Sequence, residues 1–288
     1  MTEGVLGIIG CPMLVDNLVW SLKDDTDEKD ITIIDTGNEG PLREQLGARS
    51  IPYRTMGEED ALSGGYVPTE GRFNLLVYLM DLGLHSVPEE LRSKTEDIAT
   101  RMQPYVDAIG FYLGTCGTYH WDIPKWCQEK GLKPSEMFRD RDGCPCDDCV
   151  GVCVGGGPKY LEMQKKYTGY LYMFPAMVAN NDEFLMANNR EYEGMMSHMT
   201  PEMMEVLGIE PGRDGYTRWL LSLGNYQHML KLDNGIGDDS HYDEDLEKLK
   251  GRNHLDIVVA EPGWATTQPT VDLYARCKSL LDSAHRSG

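Results

Sequence analysis

The first 35 residues alternate between apolar runs and a helical pattern, and this alternation limits the folds open to the chain. Residues 5–10 are apolar and rich in branched side chains, which predicts a buried strand. Leu14, Leu18 and Leu22 then recur at helical spacing. A second apolar run covers residues 31–35. A strand, a helix and a strand in this order form a βαβ unit with parallel strands, so the chain opens as an α/β protein.

The same alternation continues to the end of the chain. Strands are predicted over residues 51–54, 73–80, 107–113, 170–174, 226–232 and 255–260, and helices over residues 41–46, 88–103, 159–166, 186–204, 219–223 and 270–284. No internal repeat or clean linker interrupts the pattern. We therefore predict one doubly wound α/β domain over residues 1–288, with a mostly parallel sheet. Residues 118–157 are predicted to be a cysteine-rich excursion from this sheet, and two lobes are the alternative.

Four cysteines fall within ten residues of this excursion: Cys144, Cys146, Cys149 and Cys153. Two aspartates lie between them, and thiolates at this density repel one another unless a cation or a disulfide offsets their charge. A metal site is therefore the leading interpretation. The spacing C-x-C-x2-C-x3-C matches neither a zinc ribbon nor the bacterial ferredoxin run. From ligand softness the first hypothesis is an iron-sulfur cluster, with zinc, and then a disulfide or inert thiols, as alternatives.

A glycine triplet, Gly155, Gly156 and Gly157, follows the cysteine run directly. Glycine lets the backbone turn tightly or approach a bound group closely. We therefore predict that the three glycines contact a cofactor. The motif is not a phosphate loop, because the Lys-Ser or Lys-Thr pair of that motif is missing.

Cysteine and histidine also stand at predicted strand ends. Cys11 and Cys116 follow two of the predicted strands, and His85 follows another. In open parallel sheets the functional crevice lies outside the carboxyl ends of the strands, so we expect Cys11, Cys116 and Cys149 to converge there. His85 is predicted to complete the metal site or to act as an acid or base, and His120 is a weaker candidate. Against this stands the plainer interpretation that each cysteine is a small buried hydrophobe.

Composition excludes several partners. The net charge of -20 argues against nucleic acid, because binding phosphates needs clustered Lys and Arg. No apolar stretch reaches the roughly 18 residues of a membrane span, and the start of the chain lacks the pattern of a secretory signal. We therefore expect a cytoplasmic protein, in which eight cysteines are more often metal-bound or catalytic than disulfide-linked. A homo-oligomer is also compatible with the sequence.

Four segments read together resemble the family called domain of unknown function 1638, found in methanogenic archaea and other anaerobes. They are IIGCPMLVDNL around Cys11, DLGLHSVPEELR around His85, FYLGTCGT around Cys116, and DDCVGVCVGGGPKYLEMQKK, which starts at residue 147 and is followed by GYLYMFPAM. The resemblance implies that the recurrent cysteines of the family correspond to Cys11, Cys116 and Cys149, and its histidine to His85. The other cysteines of the run and the long 118–142 segment depart from the family pattern.

The resemblance also implies a context, because members of the family tend to accompany corrinoid-dependent methyltransferase systems. We therefore expect an iron-sulfur accessory or redox protein with corrinoid methyltransferase proteins as its partners. The histidine signature of a corrinoid carrier, Asp-x-His-x-x-Gly, is missing, so a partner should carry any corrinoid. The alternatives are a zinc-thiolate methyltransferase, in which the metal activates a thiol, and a scaffold with a structural metal.

Overall fold

The computed structural model describes residues 2–118, 121–186, 189–237 and 241–287. Its main sheet contains β1 Gly4–Gly10, β2 Lys29–Asp35, β3 Arg54–Gly57, β4 Phe73–Leu79, β5 Ala108–Tyr112 and β6 Ser135–Met137. These strands lie in the order β3-β2-β4-β1-β5-β6, and each neighbouring pair is parallel. The predicted α/β class with a parallel sheet is confirmed.

Helices connect the strands and cover the sheet. The described helices are α1 Val15–Asp24, α2 Gly40–Ala48, α3 Glu58–Leu62, α4 Pro88–Met102, α5 Ile123–Glu129, α6 Cys149–Val154, α7 Gly157–Lys166, α8 Pro175–Ala179, α9 Asn181–Met186, α10 Asn189–Met196, α11 Pro201–Leu207, α12 Arg213–Leu223, α13 Tyr242–Asn253 and α14 Gln268–Ser287. Short 3-10 turns occur at Pro12–Leu14, Leu82–Ser86 and Gln103–Tyr105. No helix in the described ranges is both long and apolar enough to cross a membrane.

Both faces of the main sheet are buried, which explains why its central strands are apolar throughout. Side chains of α1, α2 and α14 pack on one face, and side chains of α3, α4 and α5 pack on the other. Every residue of β4 is buried. A strand covered on both faces reads as a continuous apolar run without alternation. The sheet is therefore doubly wound, as the sequence predicts.

A second, smaller sheet contains β7 Tyr170–Met173, β8 His228–Lys231 and β9 Asp256–Val259, all parallel and in that order. Its apolar core includes Met13 and Leu82, which follow β1 and β4, together with Cys153 of α6. The second sheet therefore packs against the end of the main sheet where β1 and β4 finish. The prediction of one domain over residues 1–288 stays a prediction, now with two sheets that share packed side chains.

The structure differs from the sequence prediction in two places on the main sheet. The predicted excursion over residues 118–157 contains α5 and β6, and β6 is a strand of the main sheet itself. The third strand runs over Arg54–Gly57 and not over residues 51–54. Both β3 and β6 are short edge strands. An edge strand is only partly buried, so polar residues such as Glu136 replace the apolar run on which the prediction depends.

The methionine-rich stretch over residues 186–204, where methionines recur near helical spacing, does not form a single helix: α9 ends at Met186, α10 ends at Met196 and α11 begins at Pro201. Proline favours the first turn of a helix because it has no N–H to pair. The Thr200 hydroxyl caps the new helix by accepting a hydrogen bond from the Met203 N–H at 3.3 Å. The stretch therefore breaks where local capping signals favour a new helix start.

Candidate functional site

Strands β1 and β5 are neighbours, and the chain leaves them in opposite directions. After β1 it crosses to β2, beyond β4, through a helix on one face. After β5 it continues to β6 on the other side through a helix on the opposite face. Such a reversal of direction opens a crevice at the carboxyl ends of the two strands. Cys11 directly follows β1 there, and its N–H donates to the Tyr112 carbonyl at 2.8 Å.

The loop after β5 places Cys116 in this crevice with an unusual backbone. Cys116 has φ +40° and Gly117 has φ +83°. A left-handed conformation costs a residue with a side chain roughly 1–2 kcal/mol. The Cys116 N–H donates to the Asp147 carbonyl at 2.8 Å, which holds the loop against the cysteine run. Backbone outliers of this kind concentrate at functional sites, which makes Cys116 a candidate on structural grounds as well.

Cys149 reaches the same place because Gly114 has no side chain. A Cβ at position 114 would lie 2.7 Å from the Asp148 Cα and 2.8 Å from the Asp147 carbonyl oxygen. The backbone of residues 147–148 therefore packs directly on the loop after β5. Asp148 then caps α6, with its Oδ1 accepting from the Gly151 N–H at 2.7 Å. Cys149 is the first residue of that helix.

Cys11, Cys116 and Cys149 all line one cavity of about 500 Å³. Each residue is partly exposed, but packing around the sulfur atoms desolvates the thiols. This burial raises the pKa of the Cys11 thiol to about 11. Burial also raises the pKa of the Cys116 thiol, and repulsion from Cys11 adds to the increase. For Cys149, burial again raises the pKa most, followed by the Asp148 carboxylate and the other two thiols. Burial therefore favours the neutral form of all three thiols, and negative charge around Cys116 and Cys149 adds to this effect.

His85 also lines this cavity. It lies in the 3-10 turn after β4, and its Nδ1 approaches the Leu82 carbonyl at 2.5 Å. Its ring stacks on Phe184, with centroids 4.4 Å apart and planes 6° apart. The contact at Nδ1 orients the ring, so Nε2 is the nitrogen left for a ligand, a metal or a proton. His120, the weaker candidate, lies outside the described residues.

The other cysteines of the run are not brought to this cavity. Cys144 is exposed, and its N–H donates to the Asp140 carboxylate at 2.9 Å. Cys146 is fully buried in the core beneath the main sheet. Cys153 is buried in the core of the second sheet. Cys127 and Cys277, outside the run, are buried as well. The run of four thiols is thus divided among the surface, two cores and the cavity.

The three glycines predicted to contact a cofactor build the turn between α6 and α7. Gly155 ends α6 in a left-handed conformation at φ +94°, and Gly156 precedes α7 at φ +102°. A Cβ on Gly156 would lie 2.1 Å from the Asp140 Cβ, so this position tolerates only glycine. Gly157 has open space around its Cα. None of the three lines the cavity that contains the thiols.

The remaining wall of the cavity comes from parts of the chain that the sequence did not single out. Its aromatic side chains are Tyr160, Tyr170, Tyr172, Phe184 and Tyr226. Asp148 lines the cavity too, and burial raises the pKa of its carboxyl. The β7 segment, GYLYMF, did contain a sequence signal for this aromatic wall. Side chains two residues apart on a strand point to the same face, so Tyr170 and Tyr172 share one face of β7.

In the part of the chain that the structure describes, no three His, Cys, Asp or Glu side chains already surround a point where a single metal ion could sit. The residue types fit a soft metal, because three cysteines and one histidine line the cavity. In the structure these four side chains do not surround a common point, as the ligands of a single metal ion would.

A family model described as "Protein of unknown function (DUF1638)" matches residues 79–270. The match includes His85, Cys116 and Cys149, whereas Cys11 lies before it. No curated protein and no solved structure matches the chain.

Proposed function

Because this chain belongs to the family of unknown function 1638, and because three of its thiols share one cavity, we propose that it is a metal-binding protein with an iron-sulfur centre. Cys11, Cys116 and Cys149 are the proposed ligands. The strongest support for a shared metal site is that these three cysteines come from segments far apart in sequence and yet line the same cavity. Burial disfavours a free thiolate at each of these positions, and a bound cation would stabilise the thiolate form.

The arrangement of the thiols favours a cluster over a single ion. One metal ion draws its sulfur ligands to about 2.3 Å from a common centre. In a cluster each thiolate binds a different iron, so the sulfur atoms stay further apart. Three thiols that line a common cavity without surrounding a single point suit the second case better.

Three protein thiolates leave one position of a four-iron cluster without a cysteine ligand. In this chain that position would face the remainder of the cavity, where His85 and the aromatic wall lie. An iron-sulfur cluster supplies electrons, or an iron that can accept a ligand. The role of the protein is to hold the thiolates, to exclude bulk water with its apolar wall and to present the imidazole of His85.

We further propose that the protein is an accessory or redox partner of a corrinoid-dependent methyl-transfer system. This part depends on the family resemblance. A cavity of about 500 Å³ suits a small molecule, for which sites span about 300–1,000 Å³, and not a corrinoid macrocycle with its nucleotide tail. The corrinoid therefore stays with a partner protein. We also propose that the protein acts in the cytoplasm, where a reducing environment keeps cysteines available as metal ligands.

The alternative function is a zinc-thiolate methyltransferase, and the cavity itself favours it. Catalytic zinc keeps one coordination position open for water or substrate, and the space beside the three thiols would provide that position. This alternative requires the thiols to move together around one ion. A scaffold with a structural metal has less support, because structural sites are closed and do not adjoin an open cavity.

Anaerobic purification followed by iron, zinc and sulfide analysis tests the proposal. We expect a brown protein with about four irons per chain. Cys11→Ser, Cys116→Ser and Cys149→Ser should each lose most of the iron. Cys144→Ser is the matched control, because that thiol is exposed and lies outside the cavity, and it should keep the iron. A colourless protein with one zinc would favour the alternative, and a protein with no metal would refute both.

The corrinoid part has a separate test. Adding hydroxocobalamin to the purified protein should leave the visible spectrum of the cobalamin unchanged. Tight stoichiometric binding with a shifted spectrum would contradict a partner-held corrinoid.

A further inference from the structure

The charges around the cavity favour a cation. Two acidic residues, Asp147 and Asp148, line the cavity. Neither Lys nor Arg occurs among the described residues that line it. An anionic substrate would meet repulsion without a compensating partner, whereas a cation would be attracted.

Several aromatic residues line the same cavity as the three cysteines. Tyr160 and Tyr172 meet edge to face, with ring centroids 5.8 Å apart and planes at 73°. Because the two planes are nearly perpendicular, the pair offers aromatic surfaces in two directions, and a cation can bind to the face of an aromatic ring. Tyr160, Tyr172 and Asp148 line the same cavity, so the aromatic pair and an acidic side chain belong to one site.

Methionines and an unpaired acceptor complete this wall. Met13, Met173 and Met177 line the cavity, and thioethers make soft contacts that suit methyl groups. Asn253 is only 5% exposed, and its side-chain oxygen has no hydrogen-bond donor among the described residues. A buried acceptor without a partner calls for a ligand that donates. Asn253 lines this cavity and also a second one beside it, so a donor in the first cavity is one way to satisfy its oxygen.

We propose that the cavity binds a small methylated ammonium ion. Its methyl groups pack on the faces of Tyr160 and Tyr172 and on the methionines, and its charge is balanced by Asp148. An N–H, where the ion has one, is donated to Asn253. This inference deepens the proposed function by naming the class of ligand, and it shares the cavity with that function. It requires the aromatic wall and does not require the metal.

Choline and its neutral isostere 3,3-dimethylbutan-1-ol are suitable probes, because they differ only in a charged nitrogen replaced by carbon. Binding is measured by titration calorimetry on metal-free and on iron-loaded protein. We expect choline to bind at least about fivefold more tightly than the isostere, which is the range of a partly desolvated cation–π contact. The proposal would be overturned if the two probes bound with equal affinity. It would also be overturned if choline bound to neither the metal-free nor the iron-loaded protein.

Variants separate the aromatic wall from general folding. Tyr172→Leu should weaken choline binding at least about fivefold, whereas Tyr172→Phe keeps the ring face and should retain most of it. Tyr53→Leu is the control, because Tyr53 is 37% exposed and does not line the cavity. Loss of binding in Tyr53→Leu, or unchanged binding in Tyr172→Leu, would contradict the assignment. If the protein assembles iron but does not bind choline, this inference is refuted and the proposed iron-sulfur centre is not. If the protein binds choline but assembles no iron, the proposed centre is refuted and this inference is not.

Discussion

At the scale of single residues, the missing side chain of Gly114 determines where Cys149 lies. The backbone of Asp147 and Asp148 occupies the space of a Cβ at position 114. That contact joins the loop after β5 to the start of α6, and with it Cys116 to Cys149. A methyl group there would push on backbone atoms, which cannot rotate away as a flexible side chain can.

We therefore predict that Gly114→Ala displaces residues 147–149. The free energy of unfolding should fall by about 1–3 kcal/mol, the usual cost of overpacking. Iron content should fall as well, because Cys149 moves away from the other two thiols. Urea unfolding and iron analysis measure the two effects.

Gly157→Ala is the control for this prediction, because a Cβ at that position meets no atom within 4 Å. Alanine also favours the helix that begins there, so stability should be equal or slightly higher. Normal iron content in Gly114→Ala would show that Cys149 is not placed by this contact.

At the scale of elements, α14 is attached to the main sheet by charges as well as by its apolar face. The Lys278 ammonium donates to the carboxylates of Asp25, at 2.9 Å, and Asp27, at 2.8 Å. The Tyr274 hydroxyl donates to Asp25 at 2.5 Å. The hydrogen bond from Lys278, followed by those from Thr2, holds the pKa of Asp27 well below its usual range. The two aspartates lie in the loop between α1 and β2, so they join both ends of the chain to one face of the sheet.

This attachment predicts a dependence of stability on pH. A carboxyl whose pKa is lower in the folded state stabilises the fold above its unfolded pKa, about 3.9, and the contribution is lost as the pH falls further. Asp27→Asn should therefore lower the free energy of unfolding by about 1 kcal/mol at pH 7, after allowance for partial exposure. The difference from the wild type should shrink between pH 4 and the acid limit.

Urea unfolding at pH 7, 5 and 3 measures this difference. The matched control is Asp24→Asn, at the exposed end of α1, which should change stability by less than about 0.5 kcal/mol at each pH. A difference between Asp27→Asn and the wild type that is the same at pH 3 and pH 7 would show that the ion pair is not its cause.

At the scale of the whole molecule, the cavity lies where the two sheets meet. Its wall takes Cys11 and Cys116 from the main sheet and residues of β7 from the second sheet. Any group bound there contacts both sheets, and binding to the folded state alone stabilises every element that forms the site. The proposed centre should therefore couple the two sheets to each other.

We predict that iron loading slows amide hydrogen exchange in residues 147–154 and in β7 at least tenfold, which corresponds to about 1.4 kcal/mol. Edge strand β3 lies on the opposite border of the main sheet from β6, contributes no residue to the cavity and should change less. Hydrogen exchange with mass spectrometry on metal-free and loaded protein measures this. Slowing confined to residues 147–154 would show that the centre does not join the sheets.

The sequence by itself determined the α/β class and the position of three candidate residues at strand ends. Hydrophobic periodicity is local, so a few neighbouring residues suffice to predict β1, β4 and β5 and therefore to place Cys11, His85 and Cys116 after them. The edge strands β3 and β6 were harder, because a strand with one paired side keeps polar residues and shows no clear period.

Only the tertiary structure decided which cysteines meet. Cys144, Cys146, Cys149 and Cys153 look equivalent along the chain, but one is exposed, two enter different cores and one reaches the cavity. That outcome depends on the contact between Gly114 and the backbone more than 30 residues later, and on the packing of α6 between two sheets. Such contacts join residues far apart in sequence, and no local pattern records them. The aromatic wall came from the second sheet for the same reason.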